Sequence, residues 1–417
     1  MEAFLPRYPM ADWLERSIPV EIGCTARSGL RVDPAGADRA GPFIDAIEAV
    51  MPLAGDVARA RGSDFVRCGV LRPPPAGGAK GFKDELGVSW RMSSAGPSPV
   101  EHPLAEAGLS DVAAHPFPPL PPDLQFADAA GMNTVLDAPT PGVVGTALAL
   151  VGSWRFLEIF IDEPALASAL LDWGAACARQ HYAELLRRLP RAPDLVLYQD
   201  VVGTDQAPFF SESEFRRFVL PRLAGVVDVL RGLGAPRIGI MLRGATLPLL
   251  PLIADLGVEV IGIDHRARGM VAERVRGAVG REVVLHGTAD LVALGACVAR
   301  GDLRGTALLA CELAEAMPVI AAPGGPMAEG ELADAACGAA FLAALAPDEL
   351  GDLARFGPVR APIERAVERV RLLAREGALP GVSPDRLARP AVPAPARPHR
   401  ARPPEGGARA RAGTDPI

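Results

Sequence analysis

Between residues 194 and 290 the chain repeats one unit: a short continuous apolar run, a polar or glycine-bearing loop, and a helical stretch. The runs are DLVLYQD (194–200), RIGIML (237–242), VEVIGI (258–263) and EVVLH (282–286). Strands that are apolar throughout, not at every second position, are buried on both faces, which marks a parallel sheet wrapped by helices. Residues capable of chemistry stand at the ends of these runs: Asp200, Arg243, Asp264, His265 and His286. In a closed barrel all strand ends face one way and converge on a single mouth, where barrel enzymes do their work.

Four further runs complete the count. PVEIGC (19–24), DFVRCGVL (64–71), GVVGTALALVG (142–152) and PVIAA (318–322) read as the first, second, third and eighth strands. The expected fold class is therefore α/β, a (β/α)8 TIM barrel. Residues 72–130 break the rhythm with PPP, a hairpin-like piece around ELGVSWR and the run HPFPPLPPD, and they read as an insertion over the barrel mouth. The barrel domain is expected to span residues 1–378, with 379–417 a Pro/Ala/Arg-rich disordered tail. After the fourth strand, Ser211 and Glu214 have the spacing of a capping box, and Pro221 is expected to kink the helix they start.

Charge and composition narrow the function. A chain of 417 residues with 49% hydrophobic and 22% charged residues is globular in the main, and its net charge of −7 lacks the basic excess of a nucleic-acid binder. No apolar run approaches the roughly 20 residues a membrane span needs, and the N-terminus does not read as a leader, so a cytoplasmic protein is expected. The six cysteines form no CxxC pair and read as reduced, buried thiols. The expected partners are a small-molecule carboxylate substrate and a second copy of the chain in a homodimer, with neither nucleic acid nor membrane.

At the mouth, Asp200 reads either as a carboxylate that orients substrate or stabilises a cationic intermediate, or as a cap for nearby loop amides. Arg27 and Arg31 follow the first strand, where paired guanidinium groups suit substrate carboxylates; solvated loop arginines are the plainer alternative. His265 and His286 suit proton transfer or an anion contact near neutral pH, against the alternative of a ring satisfied by a carbonyl. Trp90 and Trp154 read as core or lid anchors. The chain carries no GxGxxG after its first strand, no Walker loop, no HExxH, no GxSxG and no HxH or HxxxH pair.

The segments DELGVSWR (84–91), EHPLAEAGLSDVAAHPFPP (101–119), DLVLYQDVVGT with the helix that follows, GVEVIGID (257–264) and VVLHGTADLVAL (283–294) resemble the uroporphyrinogen decarboxylase superfamily. The resemblance runs over most of residues 60–345. It implies a (β/α)8 barrel and one of two activities: decarboxylation without metal or cofactor, or zinc-dependent methyl transfer from a corrinoid. The methyltransferase branch carries a His-x-Cys pair after the fifth strand and a Cys after the eighth. Here those places hold Met241-Leu242-Arg243 and Pro323-Gly324-Gly325, so no metal site and no cofactor are expected. The decarboxylase branch carries an arginine-rich loop after the first strand, which Arg27 and Arg31 match in spacing only, and a histidine after the eighth, which falls on Gly324. The expectation is a metal-free decarboxylase or related lyase acting on a polycarboxylate, tetrapyrrole-like compounds included. In it Asp200 and His286 are catalytic, and Arg27, Arg31, Arg243, Asp264 and His265 bind substrate. The alternatives are a methyltransferase that has lost the usual zinc ligands and a binding barrel without turnover.

Overall fold

The computed structural model describes residues 24–26, 50–52, 55–70, 81–93, 96–120, 124–125, 132–323, 331–379, 381–384 and 387. Strands are numbered in chain order. β1 (Cys24–Ala26) and β2 (Val50–Pro52) pair antiparallel as a separate ribbon. β3 (Phe65–Val70) belongs to the main sheet. β4 (Gly81–Lys83), β5 (Ser89–Ser93) and β6 (Gly96–Glu101) form an antiparallel sheet of their own. β7 (Leu124–Gln125), β8 (Asn133–Leu136), β9 (Leu195–Val201), β10 (Ile238–Arg243), β11 (Val260–Ile263), β12 (Val284–Asp290) and β13 (Val319–Ala322) return to the main sheet.

The main sheet runs in the order β13-β12-β11-β10-β9-β8-β3-β7. Every neighbouring pair from β3 to β13 is parallel, and only the two-residue β7 opposes β3. Among the described residues this is seven parallel strands in a curled half-barrel clad in helices, an α/β fold of the TIM-barrel type. Two apolar layers hold it. A large cluster fills the space between strands and helices. A smaller one, Phe65, Val135, Leu195, Leu197, Val260, Val284 and Ile320 with Met241 packed against it, lines the inner face.

Two expected strands are corrected. The first, 19–24, reaches the described residues only at Cys24, where the ribbon pairs antiparallel with β2 and not with the barrel sheet. The third, 142–152, is a helix, Val143–Val151, and the strand in that place is β8. Its run of valines and leucines misleads because eight of its nine residues are buried. A helix apolar all round looks like a strand buried on both faces. Gly142 (φ 96°) makes the turn into it, since a side chain there would strike the Gln199 carbonyl and the Asp200 carboxylate.

Within the 72–130 segment, described residues 104, 115 and 118 meet the barrel on its helical wall. Leu104 N–H donates to the Leu150 carbonyl, the Trp173 indole to the His115 carbonyl, and the His181 ring contacts the Pro118 carbonyl at 2.8 Å. These contacts reach helices Val143–Val151 and Pro164–Arg188; residues 72–80, 94–95, 121–123 and 126–130 of the expected insertion lie outside the described residues. Trp90 is buried and ties its hairpin by donating to Asp84, whereas Trp154 is exposed.

The capping box forms as read: Ser211 N–H donates to the Glu214 carboxylate at 2.7 Å and Glu214 N–H to Ser211 Oγ at 3.2 Å. Pro221 is accommodated by a π-helical turn, Phe215–Val219, just before it. The wider turn absorbs the missing N–H and the ring. At the C-terminal end the chain stays packed past residue 379, with Val382 and Leu387 each only 6% exposed; residues 388–417, the rest of the expected tail, lie outside the described residues.

Among the described residues no single helix is long and apolar enough to cross a membrane; one bent pair, Val143–Val151 with Ser153–Asp162, passes on length and composition only together, at 103°.

Candidate functional site on the inner face of the sheet

Residues paired across parallel strands point to the same side, so register shows what the inner face presents. One level of the ladder runs Gln199–Met241–Gly262–His286–Ile320 from β9 to β13. Met241 and Ile320 belong to the inner cluster, and so this whole level faces inward. Below it lie Leu197, Gly239, Val260 and Val284, which are apolar. Toward the C-terminal ends the same parity gives Arg67 on β3, Asp137 just past β8, Arg243 at the end of β10 and Asp264 just past β11. The inner face therefore changes from an apolar floor to a polar rim at the strand ends.

Several of these side chains are tied together. The Arg67 guanidinium donates to the Asp137 carboxylate in a partly buried ion pair. Gln199 Nε2 donates to the same oxygen at 3.4 Å. Across the sheet His286 is 4% exposed, next to Gly262, where any side chain would collide with Met241. Arg243 is exposed at the rim. Asp264 accepts the Arg266 N–H at 3.2 Å. The His265 ring meets the Gly287 carbonyl at 3.0 Å through Nδ1, and burial pulls its pKa below the ordinary value. Beside it Arg266 pairs with Asp290, which also caps the helix Leu291–Arg300.

Asp200 is not part of this face. Leu195 and Leu197 point inward, so Gln199 does too, while Tyr198 and Asp200 turn into the helix layer. The Asp200 carboxylate accepts backbone N–H groups from Val143, Val144, Gly145 and Val201 at 2.8 to 3.1 Å, and the Tyr198 hydroxyl at 2.5 Å. It supplies the negative charge at the N-terminus of helix Val143–Val151 that the chain's own Gly142 does not. Burial raises its pKa to about 6, against the lowering effect of Tyr198 and the backbone donors. The expected mouth carboxylate is thus corrected to a buried anchor. Even-numbered positions of β9 face the helices; reading the run as uniformly apolar hid that parity.

Of the expected site residues, Arg243, Asp264 and His286 share the inner face and rim, and His265 stands beside them against a carbonyl. Arg27 and Arg31 lie outside the described residues, as does Gly324. Arg67, Asp137 and Gln199 were not singled out by sequence. A lone arginine inside the apolar run of β3 was the signal for the first. Asp137 was lost with the misplaced third strand. Five cysteines, 68, 177, 297, 311 and 337, are buried and unbridged, and burial pushes the Cys68 and Cys177 thiols up to about 12. Inert thiols are the consequence.

A parallel barrel sheet whose polar groups gather at the C-terminal strand ends is the arrangement of barrel proteins that bind small molecules at that end. Residues 142–324 match the family model of uroporphyrinogen decarboxylase (URO-D), and over that segment, somewhat under half of its length, the chain is similar to that family. A methyltransferase from Methanosarcina mazei is similar in structure at 17% identity and a TM-score of 0.45, covering 77% of this chain and 93% of its own. That likeness is too low to bear on the reaction. No curated protein matches the chain.

Proposed function

We propose that the chain is a metal-free decarboxylase of this superfamily, acting on a polycarboxylate held at the inner face of the sheet, with tetrapyrrole-like compounds in the candidate class. The observation that carries the reading is Arg243, an exposed guanidinium at the rim of an inner face whose next level down holds His286 and Gln199. A guanidinium is charged at all relevant pH values and meets a carboxylate as a fork. In this reading Arg243 grips one carboxylate, Asp264 and His265 orient the substrate, and Arg27 and Arg31 take further carboxylates. As the C–C bond breaks, CO2 leaves and the electron pair stays on the substrate carbon, which then accepts one proton from His286. Asp200 acts only by holding the helix that closes over β9.

The test is incubation with carboxyl-13C-labelled polycarboxylates, porphyrinogens included. The reading requires labelled CO2, a product one carboxyl group lighter, and a rate unaffected by a chelator. A methylated product formed from a methyl-carrier donor, without CO2, would replace it with methyl transfer.

A further inference from the structure

We propose that Gln199 reads a hydrogen-bond donor on the substrate, an N–H or O–H group, through its amide oxygen, and so sets specificity in the site where Arg243 holds the carboxylate. The inference rests on the proposed carboxylate-binding reading of that site and extends it to a second recognition element.

The orientation of the Gln199 amide follows from its neighbour. Asp137 is an acceptor carboxylate that already receives Arg67, and it can offer Gln199 no proton. The amide must then turn its NH2 toward Asp137, as the contact at 3.4 Å shows, because its oxygen in that place would face a negative charge. An amide is planar with oxygen and nitrogen on opposite branches, so Oε1 lies on the side away from Asp137. Among the described residues no hydrogen-bond donor meets it. Register puts it on the inner face, level with Met241, Gly262 and His286. The Arg67–Asp137 pair thereby works through Gln199: it fixes which end of the amide the lumen sees. A ligand without a donor at this point leaves the amide oxygen unsatisfied, which is costly where water is excluded.

The experiment measures binding to the full-length protein by calorimetry with two matched pairs of probes. Pyrrole-2-carboxylate against furan-2-carboxylate asks about N–H, and malate against succinate asks about O–H. The wild type is expected to prefer the donor-bearing member of at least one pair by about fivefold, the scale of one net hydrogen bond. Gln199→Met keeps the length of the side chain and removes the acceptor, and it should bring that ratio close to one. Asp137→Asn offers Gln199 a donor, lets the amide turn over, and should lower the ratio with Gln199 intact. Melting curves identify any variant that fails to fold, and the wild-type ratios stand by themselves. Ratios near one in the wild type, or a preference that survives Gln199→Met, would overturn this inference while leaving the carboxylate reading in place. If no carboxylate binds at all, both readings fall together.

Discussion

The Asp200 carboxylate accepts the Val143 backbone N–H at 2.9 Å across 57 positions of sequence, joining the end of β9 to the first turn of the helix that follows β8. A helix whose N-cap is glycine leaves its first N–H groups without a side-chain acceptor of its own. A neighbouring strand supplies one.

Removing that acceptor should be a stability lesion. Asp200→Ala leaves the Val144 and Gly145 N–H groups and the Tyr198 hydroxyl proton without an acceptor in a buried place, while Val143 N–H keeps the Tyr198 oxygen at 2.8 Å. The expected loss is about 3 kcal/mol or more in chemical denaturation, since each buried donor left unpaired costs ~1–3 kcal/mol. An Asp200→Ala protein as stable as the wild type but without turnover would return Asp200 to the chemistry.

The same group gives a pH signature. Its folded pKa is about 6, raised by burial from the ordinary value of 3.8. Between roughly pH 4 and 6 the folded state therefore holds this proton more firmly than the unfolded chain does. The contribution of Asp200 to stability rises as pH falls through 6 toward 4, by on the order of 3 kcal/mol, and this gain is absent above pH 6. The stability gap between wild type and Asp200→Ala, measured by urea titration at several pH values, should widen on acidification. A gap that narrows below pH 6 would mean a carboxylate held below its ordinary pKa.

Truncation locates where packing stops. Val382 and Leu387 are buried, so ending the chain after Leu379 should cost about 3 kcal/mol, the worth of two apolar side chains. Ending it after Leu387 should change stability by less than about 0.5 kcal/mol, because the remaining residues carry no apolar pattern. Equal stability of the two truncated proteins would show that the last packed residues contribute nothing.

Periodicity served best where apolar runs were flanked by turns. β9 to β13 stand where the runs of 194–322 put them, because strands buried on both faces in a parallel sheet need continuous apolar sequence. It failed at 142–152, where burial on all sides erased the helical period. For the site, strand ends located Arg243, Asp264 and His286 but not the direction each side chain takes. Direction comes from parity within the strand, and parity needs one residue known to face inward; Leu197 and Met241 provide it only once the sheet is assembled. Arg67 and Gln199 lie within strands, not beyond them, so a search of loop residues passes over both.

His286 is the proposed proton donor to the carbon that loses CO2. His286→Gln keeps a polar side chain at this buried position and should lower kcat about 100- to 10,000-fold, the usual worth of a positioned acid. Substrate affinity should be little changed. Rate of CO2 release under saturating substrate is the readout, and a fall of less than about tenfold would remove His286 from the chemistry.

The central claim is that a substrate carboxylate is held at the rim by Arg243. Calorimetric titration of the wild type and of Arg243→Gln with the tricarboxylate tricarballylate tests it most directly. The side chain is exposed and ends a strand, so the substitution should leave the melting temperature unchanged. Affinity is predicted to fall about 10- to 100-fold, as expected for losing a charge-assisted hydrogen-bond pair. Equal affinity in the two proteins would contradict the account.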